Sequence, residues 1–313
     1  MWVRNGEGQE LDKPLKLNKV VVACFRHDLF LVRSCVASVR YWYPDAEIYL
    51  LKDHIRGDFS TDEVEKYWGA KIFPTLRRDF GWPWSKLALV LHDRREKYLF
   101  LDSDTVLTGR VLDRLNEYDA DFVVTGIRAS RTSHDINVHY IDMEKVQQFD
   151  PSYDFPGFGF NGGQIVVTSG LLQEADFAQV ISFEPAITNK HPHIFKHGDQ
   201  GVLNYVFAKA HQAGRIKLAY ADFWIWPDLP EAARLSLHSI ARKQGLPYIL
   251  HWAGIKPTDF RKYPRYDILR FYNDLYYSRV PLGSLKRFWR LCCHVGIVRL
   301  KILKYKLLRM PYQ

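Results

Sequence analysis

The chain alternates between short runs that are apolar throughout and longer segments whose apolar residues recur every three or four positions. VVVACF (20–25), YLFL (98–101), FVVT (122–125) and IVVT (165–168) are of the first kind and read as strands buried on both faces. EIYLL (47–51), KIF (71–73), KLAY (217–220) and YILHW (248–252) extend the set. Between them, residues 28–42 place Leu29, Phe30, Val32, Cys35, Val36 and Val39 at near-helical spacing and stop before Pro44. Residues 84–95 carry Leu87, Val90 and Leu91 on one face, and further helices are predicted near 111–118 and 200–210. Residues 265–280 also have helical spacing and read as packing. Strands that alternate with helices in this way predict an α/β fold with a mostly parallel sheet covered on both faces. Ligands of such sheets sit beyond the carboxyl ends of the strands.

YLFL runs directly into Asp102-Ser103-Asp104. Two carboxylates one residue apart at the end of a buried strand repel each other and resist desolvation, so the position asks for a positive partner. Two hard oxygen donors suit Mg²⁺ or Mn²⁺. A second copy of the pattern, Asp119-Ala120-Asp121, precedes a strand instead of ending one and reads as a solvated turn.

Three later stretches sharpen this. FNGGQIVVTSG (160–170) has an Asn and two glycines before a strand, HGDQGVLNYVF (197–207) has Asp-Gln opening a helix, and HWAGIKP (251–257) follows a strand with His, Gly and Lys. With LFLDSD, in this order, they resemble the pattern of glycosyltransferase family 8 over roughly residues 18 to 260. The resemblance implies a GT-A fold, a metal-dependent hexosyltransferase that retains anomeric configuration, a nucleotide-sugar donor that is usually UDP-linked, and a Mn²⁺ or Mg²⁺ cofactor. It also implies a carbohydrate or glycolipid acceptor.

Carried over residue by residue, Asp102, Asp104 and His251 resemble the metal ligands, and a mixed carboxylate and imidazole set leans toward Mn²⁺. Asp102 and Ser103 also resemble donor-binding positions. Lys256 resembles the lysine that contacts the diphosphate, and Gly254 lets backbone approach it without a Cβ in the way. Lys86 resembles a basic residue near the donor; its alternative is a solvated helix charge. Asn161 and Asp199 resemble residues that hold the donor sugar's hydroxyls, and Asp199 also fits a helix cap. Gln200 falls close to the anomeric carbon. An amide is a poor nucleophile beside a carboxylate, which favours front-face attack by the acceptor. The first strand departs from the family: ACFRHD offers Ala23 and Phe25 to the base, with His27 and Asp28, where members show an aspartate. Aromatic-rich residues 140–160 and 222–226 are candidate acceptor surfaces, with core filling as the alternative.

Composition narrows the remaining possibilities. With 47% hydrophobic residues in 313, the chain can build a large core. The four cysteines, Cys24, Cys35, Cys292 and Cys293, have no disulfide-framework or zinc spacing, which favours a reduced, cytoplasmic setting. The polar N-terminus has no apolar leader core, and no apolar run approaches the ~20 residues of a spanning helix. Nine of the 44 Lys and Arg lie beyond Asp274, the last acidic residue, so the first 274 residues carry 35 bases against 35 acids. The excess of +9 therefore belongs to the tail, which argues against a nucleic-acid surface on the main domain. The division expected is a GT-A domain over 1–282 and a basic amphipathic tail over 283–313. In that tail Lys286, Arg287, Arg290 and His294 form one helical side, with Phe288, Leu291, Cys292 and Val295 opposite. Such a helix suits the plane of an anionic membrane surface and a peripheral location; a helix docked on the domain is the alternative. Two other classes stay open: a nucleotidyltransferase, which would show a glycine-rich basic loop after the first strand, and a non-catalytic sugar-binding protein.

Overall fold

The computed structural model describes residues 15–55, 57–75, 80–126, 132–254 and 260–293. In chain order the elements begin with β1 (Lys19–Cys24), α1 (Leu29–Trp42), β2 (Glu47–Lys52), α2 (Asp62–Trp68), β3 (Ala70–Ile72), α3 (Ser85–Val90), β4 (Lys97–Leu101) and β5 (Thr105–Leu107). Next come α4 (Val111–Leu115), β6 (Phe122–Val124), α5 (Ser133–His139), α6 (Met143–Phe149), β7 (Gln164–Thr168), α7 (Glu174–Phe177), β8 (Ile181–Ser182) and β9 (Thr188–Asn189). The chain continues with α8 (Asp199–Gln212), β10 (Leu218–Tyr220), β11 (Trp224–Ile225), α9 (Leu237–Ala241), β12 (Ile249–His251) and α10 (Tyr266–Ser278). Residues 283–293 form a further helix.

The main sheet runs β10-β6-β7-β4-β1-β2-β3. Its pairings are parallel except around β7, which lies antiparallel between β4 and β6. The strands carry apolar residues on both faces because both faces are covered. Val20, Val22, Leu99, Leu101 and Val166 point into one core. Their neighbours Val21, Tyr98, Phe100, Ile165 and Val167 point into the other. This is the period of two that separates the faces of any strand.

A small second sheet, β11-β12-β5, is absent from the sequence reading as a sheet, and β5 was not predicted at all. Three residues, Thr105 to Leu107, are too few for a periodic signal. They turn back from the Asp-Ser-Asp segment and pair antiparallel with β12, setting His251 opposite Thr105. The junction is pinned from outside. Trp42 donates its indole N–H to the carbonyl of Leu107 (3.1 Å) and to the Tyr272 hydroxyl (2.8 Å), and Tyr272 donates to the same carbonyl (2.6 Å). Thus α10 is packing, as its spacing implied.

Asp119 and Asp121 sit at a solvated turn, as expected: Asp119 pairs with Lys217 at 2.8 Å and Asp121 accepts from the Lys217 amide at 2.7 Å. Most aromatics of 140–160 fill the core instead of offering a surface. Tyr140, Tyr153 and Phe160 are buried, and Phe149, Phe155 and Phe158 pack against them. Phe149 and Tyr153 pack on Tyr205 and Phe160 on Phe207, both on α8, where apolar area leaves water.

The described part of the tail also differs from expectation. Lys286 and Arg290 do not face solvent; they reach Glu63 on α2, Lys286 at 3.2 Å and Arg290 through two bonds of 2.7 and 2.9 Å. Arg287 pairs with Asp274. The apolar side is the exposed one. Residues 294–313, with His294 and Val295, lie outside the described residues. Burial raises the Glu63 carboxyl, but hydrogen bonds from Arg290, Tyr276 and Lys286 outweigh it and bring its pKa to about 2. A folded pKa below the ordinary 4.5 means the contribution is complete above that value and is lost as pH falls toward 2.

Glu63→Gln keeps the shape and removes the shared charge. Loss of these charge-assisted bonds costs about 1–3 kcal/mol of local docking. Deuterium exchange of the 283–293 amides at neutral pH should therefore accelerate by about ten-fold or more while the main sheet is unaffected. Unaltered exchange would mean that the helix is held by other contacts.

Candidate active site

The Asp-Ser-Asp turn is held through its backbone. The Asp102 amide donates to the Gly163 carbonyl (2.7 Å), Thr105 Oγ1 donates to the Asp102 carbonyl (2.8 Å), and the Trp252 amide donates to the Asp104 carbonyl (2.9 Å). The side chains then converge. His251 Nε2 is 3.2 Å from Asp104 Oδ1 and 4.0 Å from Asp102 Oδ2. One ligand atom from each of the three residues lies within 4.8 Å of the others. Among the described residues this is the one such group of His, Cys, Asp and Glu.

Lys86 is buried on α3 with 5% of its surface exposed, so it is no solvated helix charge. Its Nζ donates to Asp199 Oδ2 at 2.9 Å and lies 3.8 Å from Asp102 Oδ1. Burial works against the ammonium, but Asp102 and Asp199 outweigh it and hold its pKa well above the usual lysine range. Burial pushes the Asp199 carboxyl up to about 6 against the attraction of Lys86, so it stays ionised at neutral pH. Asp199 is not the cap of α8. Gly198, at φ +63°, takes that place, and His197 before it is also left-handed at φ +52°. Two successive left-handed residues cost conformational energy at His197 and deliver Asp199 to Lys86.

FNGG closes the site from below. The Asn161 side-chain oxygen accepts from the Gly163 amide (2.7 Å) and from Gln164 Nε2 (3.4 Å). Gln200 accepts from the Gly162 amide (3.1 Å) and donates to the His139 carbonyl (2.8 Å), which fixes the orientation of its amide. A Cβ on Gly163 would stand 2.3 Å from His251 Cε1 and 2.8 Å from Asp102 Oδ2. A Cβ on Gly162 would meet only the flexible Lys86 side chain, at 3.1 Å.

Beside this cluster a cleft of about 490 Å³, open mouth included, is lined by Ala23, Phe25, Asp102, Ser103 and Asp104, as the motif reading grouped them. Ser103 Oγ donates to Asp28 Oδ2 at 3.2 Å. Sequence reasoning missed two further walls, Asp53 and Trp82. Asp53 accepts from the amides of Ile55 (3.0 Å) and Trp82 (3.2 Å), a contact across 29 positions that no local pattern announces. Gly254 does require its glycine, at φ +105°. Lys256 lies outside the described residues. The 222–226 stretch divides by alternation: Phe223 and Ile225 are core, while Trp224 and Trp226 are half-buried, with the Trp224 ring 6.5 Å from His251.

Among the described residues, Lys86 pairs with Asp199 and lies 3.8 Å from Asp102. Two carboxylates and an imidazole with room kept by Gly163 fit a divalent cation such as Mn²⁺. Gly163→Ala should fold, since its backbone is not left-handed, and should weaken Mn²⁺ binding by about ten-fold or more through the displaced His251 ring. Gly162→Ala should be milder. Mn²⁺ titration followed by electron paramagnetic resonance checks both, and equal binding by the two variants would refute the geometry.

No family model matches the chain, and no curated protein does either. Solved structures do. The chain is similar to the WbbM bifunctional glycosyltransferase (15% identity, TM-score 0.55), over 90% of this chain and 54% of WbbM. It is similar to the glycosyltransferase GlyE of Streptococcus pneumoniae TIGR4 (18%, TM-score 0.51), over 82% of this chain and 60% of GlyE. The galactosyltransferase LgtC, solved in complex with donor and acceptor sugar analogues, matches at 18% and TM-score 0.51 over 84% of this chain and 97% of LgtC. The chain thus spans little more than half the length of the first two and nearly all of the third, and it has the GT-A fold of these glycosyltransferases.

Proposed function

We propose that the chain is a metal-dependent retaining glycosyltransferase that moves a hexose from a nucleotide-sugar, UDP-linked, to a glycan or lipid-linked glycan. The observation that carries this is the convergence of Asp102, Asp104 and His251 beside the buried Lys86–Asp199 pair, at the carboxyl end of β4 in a GT-A sheet. The donor and acceptor analogues bound to LgtC support the substrate class.

In this reading Ala23 and Phe25 receive the nucleobase, and Ser103 and Asp102 flank the donor. Mn²⁺ (or Mg²⁺) held by Asp102, Asp104 and His251 would neutralise charge on the diphosphate. Lys86 keeps Asp199 ionised and aimed, so that Asp199 and Asn161 accept hydrogen bonds from the sugar hydroxyls. Gly254 and Lys256 belong beside the diphosphate. Gln200, tied at both ends of its amide, positions the donor and is unsuited to attack. The acceptor hydroxyl then attacks from the face the leaving group departs. Trp224 and Trp226 offer flat surfaces on which an acceptor sugar can stack. Residues 283–313 hold the enzyme at an anionic membrane surface as a peripheral, cytoplasmic protein.

Metal-dependent hydrolysis across a panel of nucleotide sugars tests the reading. Asp104→Asn should unfold at about the wild-type temperature and lose at least about 1,000-fold in turnover, in line with several kcal/mol of charge stabilisation. Excess chelator should abolish turnover and Mn²⁺ restore it; full activity in chelator would refute the metal's role. The product should retain the donor's anomeric configuration by NMR, and Gln200→Ala should keep measurable activity. Inversion would overturn the family-like mechanism, and complete loss in Gln200→Ala would assign the amide a larger part.

A further inference from the structure

A second cleft lies away from the nucleotide side, between α1, α10 and the helix of residues 283–293. It encloses about 600 Å³ when its open mouth is counted. Four guanidinium groups line it, those of Arg33, Arg270, Arg287 and Arg290, and among the described residues no carboxylate does. The carboxylates behind them are Glu63 and Asp274. Glu63 takes Arg290, Lys286 (3.2 Å) and, at 3.7 Å, Arg33; Asp274 takes Arg287 and, at 3.4 Å, Arg270. Five bases on two acids leave three positive charges over. Arg33 Nε is buried and makes no hydrogen bond of its own, its charge facing Glu63 at 3.7 Å. The rest of the wall is apolar, with Phe30, Leu269 and Leu291 among its residues. Cationic and apolar walls in one cleft match a phosphate that carries a hydrocarbon chain.

The helix above the cleft supplies the second observation. Positions 286 and 290 face Glu63, and 287 and 291 face the cleft. Positions 285, 288, 289 and 292 recur at three and four and form the remaining side. Leu285, Phe288 and Trp289 on it are 62%, 64% and 68% exposed, and Cys292 is exposed too. A contiguous exposed apolar face of this kind marks an interaction surface. The twenty residues that follow carry five bases and no acid, which suits an anionic lipid surface and opposes a basic or neutral partner.

We propose that this cleft binds the phosphate headgroup of a membrane lipid, with the arginines on the phosphate and the start of the acyl chain along Phe30 and Leu291, while Leu285, Phe288 and Trp289 enter the bilayer. The inference takes only the source of the lipid from the membrane reading, and nothing from the transfer reaction. The cleft is read by calorimetry of the full chain with water-soluble dihexanoyl phosphatidic acid at physiological salt. Saturable binding is expected. Arg270→Ala/Arg287→Ala should weaken it by about ten-fold or more, and the Arg270→Lys/Arg287→Lys pair, which keeps the charges, should lose less. Leu291→Ser, at an exposed position, should also weaken it and serves if the double alanine variant unfolds. Inorganic phosphate should bind much more weakly than the lipid. Equal lipid binding by wild type and these variants, or equal binding of phosphate and lipid, overturns the proposal. The membrane reading is scored separately: Phe288→Ser/Trp289→Ser should reduce co-sedimentation with phosphatidic acid vesicles and leave soluble-lipid binding intact. Loss of the soluble-lipid signal with vesicle binding preserved sinks the cleft alone.

Discussion

The repulsion between Asp102 and Asp104, held at the end of a fully buried strand, sets the demands that the surrounding structure meets. β4 is closed on both faces; Asp104 is buried beyond its end, and Asp102 is half-buried at the cleft. A buried carboxylate needs groups around it that offset the loss of water. Here the surrounding groups arrive from three directions. Lys86 comes from α3 beneath the sheet, His251 from β12, and the glycine pair of FNGG leaves the space in which they meet. Each is itself buried. Loss of Lys86 would strand the buried Asp199 carboxylate without its counterion, which is costlier than losing an exposed pair.

The reversal after Asp104 is what allows this. Had the chain run on from β4 into a helix, His251 would have had no strand to pair with. Because β5 folds back into a separate small sheet, the antiparallel register with β12 sets His251 against Thr105, one residue from Asp104. Trp42 and Tyr272 fasten the far end of β5 through the Leu107 carbonyl. α1 and α10, which carry none of Asp102, Asp104 and His251, thereby govern the geometry of that cluster. The same two helices form walls of the arginine-lined cleft, so one scaffold positions two separate charge clusters of opposite sign.

The sign of each cluster follows from its neighbours. The Asp102, Asp104 and His251 cluster presents ligand atoms of the kind that suit a divalent cation. Under the 283–293 helix the bases outnumber Glu63 and Asp274, and an anion is wanted. The docked helix turns its cationic side, half-buried, toward the domain and exposes its apolar one. Glu63, with hydrogen bonds from Arg290, Tyr276 and Lys286, is the reason.

Much of the fold was legible in the sequence. Runs such as VVVACF and YLFL read as strands covered on both sides, and the period of two along them separates their two cores. Asp102, Asp104, His251, Asn161 and Asp199 were visible because motifs keep chemistry-bearing residues next to glycines and strand ends. What stayed hidden was long-range. β5 was too short to show a period. The burial of Lys86 was undecided, since a lysine on a helix face looks solvated until a partner 113 positions away is placed beside it. Asp53 and Trp82 joined the cleft through a single bond between separate loops. The tail's amphipathic division was legible, but its direction was not. Hydrophobic period tells which residues share a face, whereas the side that meets the protein depends on the charge waiting there, and only the tertiary structure put Glu63 under Arg290.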